Sequence, residues 1–331
     1  MSGEQEKNKT VLSKEIFNKL EKEISKVIVG KTDIVKLITV ALLADGHILL
    51  EGVPGVAKTL IAKSFSRALG LEFKRIQLTP DMLPSDITGT FIFNVKDQEF
   101  VFREGPIFCN VVLADEINRA IPKTQSALLE AMQEKQVTVE GVTRKLPDPF
   151  IVFATENPIE MQGTYPLPEA QLDRFMFRLI IGIPDKSEEI EILNRAASGI
   201  DFEEIKPVIS PKEILDARKE IIDNVTISRE VMEYIVSLIS ATRRDEEKVL
   251  LGGSPRASVH LLAAARVQAS MSGRDYTTPD DVKKLLFHTL NHRIILSPEF
   301  VLRNTKMSRP YNYDSLDLVI SNAMSATEPP R

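Results

Sequence analysis

The chain has 331 residues, 43% hydrophobic and 27% charged, which is enough for two globular domains of a water-soluble protein. Its uninterrupted apolar stretches, such as residues 40–44, are far shorter than the roughly 20 residues of a membrane-spanning helix, so we expect no membrane insertion. A net charge of −5, with acids and bases interspersed, does not favour a general nucleic-acid surface but leaves a local basic patch open.

The first half of the chain alternates between strand and helix patterns. Apolar runs without polar alternation, separated by helices, are typical of a parallel sheet that is covered on both faces. The predicted helices are residues 32–45 and 58–69, which end at Gly46 and Gly70. The predicted strands are residues 47–51, 73–78, 111–114, 150–154 and 179–183.

After Pro184 the pattern becomes helical. The predicted helices are residues 188–197, 211–222, 228–242, 258–271 and 279–290. Several begin at a capping residue or an early proline: Ser187, Ser210–Pro211, Ser228 and Thr278–Pro279. We therefore expect an α/β core of residues 1–184 and an all-helical second domain of residues 185–331.

A glycine-containing loop, GVPGVAKT, occupies residues 52–59 between a predicted strand and a predicted helix, where a Walker A loop belongs. Backbone N–H groups at the start of a helix can hold phosphate oxygens. Lys58 would neutralise the β- and γ-phosphates, and the Thr59 hydroxyl would coordinate Mg²⁺. Ala57 stands where the general pattern has glycine, so we expect its φ angle not to be strongly positive. The alternative is a glycine-containing turn with an incidental lysine.

An apolar strand pattern at residues 111–114 ends in Asp115 and Glu116. The carboxyl ends of parallel strands form the edge of the sheet where ligands bind, so both carboxylates are expected there. Asp115 would hold Mg²⁺ through water or beside Thr59, and Glu116 would activate the attacking water. A strand that runs into an acidic turn is the alternative, and the Walker A loop upstream argues against it.

Three further side chains fit the same chemistry. Asn157 follows the strand pattern of residues 150–154 and could place the water beside the γ-phosphate, or it is a turn residue before proline. Arg174 lies in the segment LDRF and Arg256 in GGSPR. A guanidinium can stabilise the γ-phosphate in the transition state, from its own chain or from a neighbour, although most arginines are simply solvated.

Together these motifs resemble the MoxR family of AAA+ ATPases over residues 27–293. The characteristic stretches are GHILLEGVPGVAKT at residues 46–59, ADEINR at 114–119, ATENP at 154–158 and PEAQLDRF at 168–175. In that family an alanine before the loop lysine is usual, so Ala57 supports the resemblance. The fold that it implies is a P-loop NTPase core with a parallel sheet flanked by helices, followed by a helical lid.

The resemblance implies roles that local chemistry only suggests. Asn157 matches sensor 1, Arg174 matches the arginine finger that acts on a neighbour's nucleotide, and Arg256 matches sensor 2, in cis or in trans. The segment lining the adenine pocket matches Val29 and Gly30. The expected nucleotide contacts are therefore Val29, Gly30, Gly52, Val53, Pro54, Gly55, Val56, Ala57, Lys58, Thr59 and Leu60.

Two segments have the alternating pattern of β-hairpins. They are residues 90–103, around the turn at 96–98, and residues 136–146, around Glu140 and Gly141. Both fit the helix-2-insert branch of AAA+ proteins, which includes MoxR, magnesium chelatase and the MCM helicases. In related machines such hairpins commonly face the pore or the substrate; solvated surface hairpins are the alternative.

The remaining candidate residues indicate no second site. His47, His260, His288 and His292 lack metal-ligand spacing and acidic partners. The single cysteine, Cys109, forms no internal disulfide and reads as a small buried residue. That cysteine usage, together with residues 1–10, which lack the apolar centre of a signal peptide, favours a cytoplasmic protein.

The function that these residues favour is ATP hydrolysis, and the resemblance implies a hexameric, chaperone-like ring that remodels a client protein. The resemblance implies maturation or metal-cofactor insertion, with proteins that carry von Willebrand factor A domains as partners. A nucleic-acid motor like the MCM helicases is one alternative, which the acidic net charge disfavours. A non-catalytic scaffold gated by nucleotide is another, which the intact pair Asp115 and Glu116 disfavours.

Overall fold

The computed structural model describes residues 12–157, 163–199, 202–303 and 313–330. Residues 1–10 and Pro158, on which expectations were stated above, lie outside these ranges. The α-helices are α1 (Leu12–Ile24), α2 (Thr32–Leu43), α3 (Lys58–Ala68), α4 (Pro84–Thr88), α5 (Pro122–Glu134), α6 (Glu169–Leu172), α7 (Lys186–Ala197), α8 (Pro211–Asn224), α9 (Arg229–Ala241), α10 (Pro255–Met271), α11 (Pro279–Leu290), α12 (Pro298–Arg303) and α13 (Tyr313–Ser325). The strands are β1 (Ile48–Glu51), β2 (Phe73–Gln77), β3 (Gly89–Asn94), β4 (Glu99–Glu104), β5 (Val111–Asp115), β6 (Gln136–Val139), β7 (Val142–Lys145), β8 (Ile151–Glu156), β9 (Phe177–Ile180), β10 (Val249–Leu251) and β11 (Ile295–Leu296).

Five strands form a parallel sheet in the order β2-β5-β8-β1-β9, which confirms the predicted sheet. β1 lies between β8 and β9, so that Glu51 is level with Glu156 on one side and with Ile180 on the other. The last strand begins earlier than the predicted residues 179–183 and ends at Ile180, because its partner β1 turns into the loop after Glu51.

Both faces of the sheet are covered. Ile48 and Leu50 belong to a core shared with the helices α1, α2 and α3, whereas Leu49 belongs to a second core with Leu128 and Leu129 of α5. Every residue of β1 and β5 is buried, since alternate side chains enter opposite cores. This double burial is the physical reason why these strands are apolar without alternation.

Helices dominate the chain from Lys186 onward, and the helical second part is confirmed with one addition. Val249 pairs with Leu296 in a short antiparallel contact between β10 and β11. The first helix of this part, α7, is capped by Asp185 rather than by Ser187, because the Asp185 carboxylate accepts from the backbone N–H of Glu188 at 2.9 Å. The division of the chain at residue 184 stays a prediction.

The structure contains both predicted hairpins. In β3–β4, Thr90 pairs with Arg103, and in β6–β7, Thr138 pairs with Thr143. Among the residues that the structure describes, no helix is both long enough and apolar enough to cross a membrane.

Candidate functional site

The loop at residues 52–59 connects the carboxyl end of β1 to the first residue of α3. A Cβ atom on Gly52 would lie 2.6 Å from the carbonyl oxygen of Ile181, so only glycine fits there. Gly55 has a φ of +84°, a conformation that glycine adopts without strain. The Lys58 Nζ atom donates to the carbonyl oxygens of Gly52, at 2.5 Å, and Glu156, at 3.0 Å. The lysine side chain therefore folds back across the loop.

Ala57 adopts the left-handed conformation, with a φ of +66°, so the expectation that it avoids a positive φ is wrong. An alanine pays about 1–2 kcal/mol for this conformation because its Cβ atom crowds the carbonyl oxygen. The rest of the fold imposes it, since the chain must turn from β1 into α3 at this point. Such turns direct successive N–H groups to one side and form an anion-binding concavity.

Asp115, the last residue of β5, is buried beside Thr59. The Thr59 Oγ1 atom lies 3.5 Å from Asp115 Oδ2, and Thr155 Oγ1 donates to Asp115 Oδ1 at 2.5 Å. Arg75 on the neighbouring strand β2 donates to Asp115 Oδ2 from Nε at 2.9 Å and from Nη2 at 2.7 Å. Sequence reasoning missed Thr155 and Arg75.

These oxygen atoms suit Mg²⁺, which prefers hard oxygen ligands and usually keeps several waters. A Thr59 hydroxyl and an Asp115 carboxylate offer such ligands within 3.5 Å of each other. Within the described ranges, no group of three or more His, Cys, Asp or Glu side chains could hold a metal ion. Thr59 and Asp115 would hold the metal together with water and the phosphates of a bound ligand.

Glu116 follows Asp115 at the same edge of the sheet, in a left-handed conformation with a φ of +56°. Its backbone N–H donates to Thr155 Oγ1 at 2.9 Å. The carboxylate oxygen Oε2 accepts from Gln77 Nε2 at 3.0 Å and lies 2.8 Å from Arg119 Nε. The structure thus holds this carboxylate towards β2. Arg75 and Gln77 are two positions apart on β2, so their side chains lie on the same face of this strand. Polar residues at alternate positions of a strand that pairs with β5 are the pattern from which both could have been predicted.

The ends of β1 and β8 contribute a second pair of carboxylates, Glu51 and Glu156. Burial, together with the charge of Glu51, raises the pKa of Glu156 to about 7, while Arg178 and Lys58 act in the opposite direction. Glu51 itself lies 3.3 Å from Arg178 Nη1 and accepts a hydrogen bond from the Tyr313 hydroxyl. Asn157, which follows Glu156, is buried at the same edge of the sheet.

A cavity of about 350 Å³ lies beside the loop. Its lining includes the predicted residues Val29, Gly55, Val56, Ala57 and Leu60, together with Val27, Ile28, Lys31, Gly182, Pro184 and Ile192. This apolar, enclosed space suits a planar base. Sequence reasoning missed Ile192, which is on α7 and so closes the cavity from the helical part.

Gly30, Val53 and Pro54 were also predicted to contact the nucleotide, but they do not line this cavity. A Cβ atom on Gly30 would lie 1.7 Å from Glu188 Oε1, so Gly30 serves the packing against α7. Val53 packs against the core that the sheet shares with α1, α2 and α3, and Pro54 is exposed at the tip of the loop.

Arg174 and Arg256 lie together at the opposite edge of the sheet. Both line a cavity of about 230 Å³ with Gly46, His47 and Met132. Gly46 and His47 directly precede β1, whereas the loop at residues 52–59 follows it. A strand as short as β1 is still about 13 Å long, so the structure separates both arginines from the loop of their own chain.

The two arginines have few constraints of their own. Arg256 Nη1 lies 3.5 Å from Asp173 Oδ2. The Nε atom of Arg174 is buried and has no hydrogen-bond partner among the residues that the structure describes. The Oδ1 atom of Asp173 accepts from Ser254 Oγ at 2.6 Å and from Arg293 Nε at 2.7 Å. Arg293, which no sequence motif indicated, therefore ties the turn after α11 to the segment that carries Arg174.

This chain is similar to known proteins along most of its length. Residues 47–177 match the ATPase family associated with various cellular activities (AAA), and residues 241–310 match the AAA lid domain. The protein YeaC of Bacillus subtilis (strain 168) is 50% identical over 284 residues, 86% of this chain and 88% of that one. Chaperone MoxR1 of Mycobacterium tuberculosis is 45% identical over 297 residues, 85% of this chain and 78% of that one. A crystal structure from Cytophaga hutchinsonii superposes with a TM-score of 0.86 at 39% identity and covers 97% of each chain.

Proposed function

Because this chain belongs to the MoxR family of AAA+ ATPases, we propose that it hydrolyses ATP to remodel partner proteins. The observation that carries the proposal is the meeting of Lys58, Thr59, Asp115 and Glu116 around the loop at the carboxyl edge of the sheet. A cation, a hydroxyl and two carboxylates at a phosphate-binding loop are the groups that phosphoryl transfer to water requires.

In this proposal the adenine enters the cavity lined by Val29 and Leu60, and the phosphates bind the N–H groups of the loop. Lys58 exchanges its two carbonyl partners for phosphate oxygens. Thr59 and Asp115 would hold Mg²⁺, which would supply positive charge against the phosphates. Glu116 leaves Gln77 and Arg119 to take a proton from the attacking water. Asn157 holds that water in place.

The proposal places the complete site between two copies of the chain. Arg174 and Arg256 lie at the amino edge of the sheet, the edge at which β1 begins. In this proposal they therefore reach the phosphates bound to a neighbouring copy rather than those bound to their own chain. Each copy then offers its carboxyl edge to one neighbour and its amino edge to the other, which closes into a ring, and we propose a hexamer. An arginine supplied in this way is worth about 10³–10⁵ in rate, so the isolated chain hydrolyses ATP slowly.

Phosphate release tests hydrolysis and its division between subunits. We expect Glu116→Gln and Arg174→Ala each to reduce the rate to near background. Mixing the two restores activity, because the Glu116→Gln chain supplies Arg174 to a site that retains Glu116. Arg229→Ala, at an exposed ion pair with Glu233, serves as the neutral partner in a control mixture. Equal rates for wild type and Glu116→Gln would refute hydrolysis, and an inactive mixture of two inactive variants would refute the shared site.

We further propose that this protein acts in the cytoplasm, with proteins that carry von Willebrand factor A domains as the class of client that the family resemblance suggests. The chaperone name of the Mycobacterium tuberculosis relative supports a remodelling role. Glu116→Gln with ATP should retain a ring and a client, whereas Lys58→Ala, which loses the phosphate contact, should retain neither. A Glu116→Gln monomer without a partner at saturating ATP would count against remodelling.

A further inference from the structure

Arg75 and the expected metal site share one oxygen atom. In the register of β2 and β5, Gln77 is level with Asp115, and Arg75 precedes it on the same face of β2. The guanidinium of Arg75 donates twice to Asp115 Oδ2, at 2.9 and 2.7 Å. The same oxygen faces the Thr59 hydroxyl at 3.5 Å. The carboxylate oxygen nearest to Thr59 is thus the one that the guanidinium contacts.

The other carboxylate oxygen of Asp115 already takes part in a hydrogen bond. Its Oδ1 atom accepts the short hydrogen bond from Thr155, which fixes the orientation of the carboxylate. The Asp115 side chain is 10% exposed, whereas that of Arg75 is 47% exposed. The aspartate is therefore held in place, and the arginine can move into water at little cost because its charged end is already half solvated.

We propose that Arg75 is a positioning residue that competes with Mg²⁺ for Asp115 Oδ2 and so sets the magnesium concentration at which the nucleotide–metal complex forms. This inference rests on the proposed function. The guanidinium of Arg75 occupies the lone pairs of Asp115 Oδ2 that a metal ion would use. The positive charge of the guanidinium also repels a divalent cation near that oxygen. Removal of the guanidinium should therefore strengthen magnesium binding.

The experiment titrates MgCl₂ into the full-length protein loaded with ADP and follows the heat of binding. We expect Arg75→Gln to lower the magnesium concentration at half saturation by about three- to tenfold. This is the size of effect expected from one ordinary hydrogen bond, because water around the half-exposed Arg75 screens its charge. Arg75→Lys keeps the charge but loses the paired donors, so its shift should be smaller. Lys74→Gln is the matched control, because Lys74 neighbours Arg75 on β2 but donates to the carbonyl oxygen of Phe108.

The outcomes separate this inference from the proposed function. An unchanged or weakened magnesium affinity in Arg75→Gln would overturn the competition and make Arg75 a support of Asp115. An equal shift in Lys74→Gln would overturn it as well, since the effect would then be one of total charge. Binding of ADP at saturating MgCl₂ is measured alongside: if the wild type binds no nucleotide, the proposed function itself fails. Circular dichroism verifies folding, and Arg75→Lys carries the test if Arg75→Gln does not fold.

Discussion

Arg293 donates a hydrogen bond from Nε to Oδ1 of Asp173 at 2.7 Å. Asp173 directly precedes Arg174 in the chain. The same guanidinium donates to the carbonyl oxygens of Asp173, Phe175, Met176 and Thr289, and its Nη2 atom lies 2.8 Å from His260 Nδ1. Burial lowers the pKa of Arg293 to about 10, although the hydrogen bond with Asp173 opposes this, so the side chain is charged at neutral pH. The buried guanidinium of Arg293 therefore holds the segment of residues 173–176, which leads into β9.

We expect Arg293→Lys to lower the free energy of unfolding by about 3 kcal/mol, because lysine cannot satisfy this set of buried acceptors. Denaturant unfolding measures the change. Arg229→Lys is the matched control: its ion pair with Glu233 is exposed, so its unfolding midpoint should stay close to that of the wild type. A stability loss below about 1 kcal/mol in Arg293→Lys would show that the hydrogen bonds of Arg293 contribute little.

Ala57→Gly should stabilise the protein by about 0.5–1 kcal/mol, because glycine adopts the φ of +66° without steric cost. The gain from relieved strain is reduced by the greater freedom of glycine in the unfolded chain. Thermal or denaturant unfolding without nucleotide measures the difference. Ala57→Val should have the opposite sign, since a β-branched residue is disfavoured at positive φ. A destabilisation by Ala57→Gly, the usual result in a helix, would contradict the strain.

The raised pKa of Glu156 predicts a pH dependence of stability. Its folded pKa of about 7 lies above the value of 4.5 for an ordinary glutamate, so the folded state retains the proton longer than the unfolded state does. The stabilisation that protonated Glu156 gives to the folded state is fully present below pH 4.5, the pKa of an ordinary glutamate. It is lost as the pH rises through about 7, the pKa of Glu156 in the folded state. We expect the free energy of unfolding to fall by about 1–3 kcal/mol between pH 5 and pH 8.

Glu156→Gln should remove this fall, because the amide does not titrate. Unfolding curves at several pH values, without nucleotide, compare it with the wild type. Glu233→Gln, at an exposed position, should retain the pH dependence of the wild type. If Glu156→Gln has the wild-type slope, another group causes the fall.

Arg144 connects the two hairpins. It is on β7, and its guanidinium carbon lies 3.8 Å from the ring centre of Phe102 on β4 and 5.3 Å from that of Phe91 on β3. We expect Arg144→Ala to remove about 1–2 kcal/mol of this cation–π contact and to speed hydrogen exchange across β3 and β4. Mass spectrometry of exchange at residues 89–104 measures it. Lys145→Ala, one residue further along and exposed, should not alter exchange there; equal exchange in the Arg144 variant would show that the hairpins are independent.

The sequence by itself determined the local chemistry. The loop at residues 52–59, the strand that ends in Asp115 and the parallel sheet were predictable because glycine placement and uninterrupted apolar runs reflect neighbours along the chain and burial on both faces. Several helix starts, such as those at Lys58, Pro211 and Pro279, were predictable as well, since capping and early proline act over a few residues. The conformation of Ala57 was not, because the turn from β1 into α3 overrides the local preference of alanine.

Only the tertiary structure decided how these parts meet. The order β2-β5-β8-β1-β9 brings Arg75 and Gln77 to Asp115 and Glu116, and the direction of β9 leaves Arg174 at the far edge from the loop. Arg293 reaches Asp173 across 120 positions of sequence, so no local pattern could indicate it. Long-range contacts of this kind depend on the packing of whole elements, whereas motifs record only what adjacent residues can do.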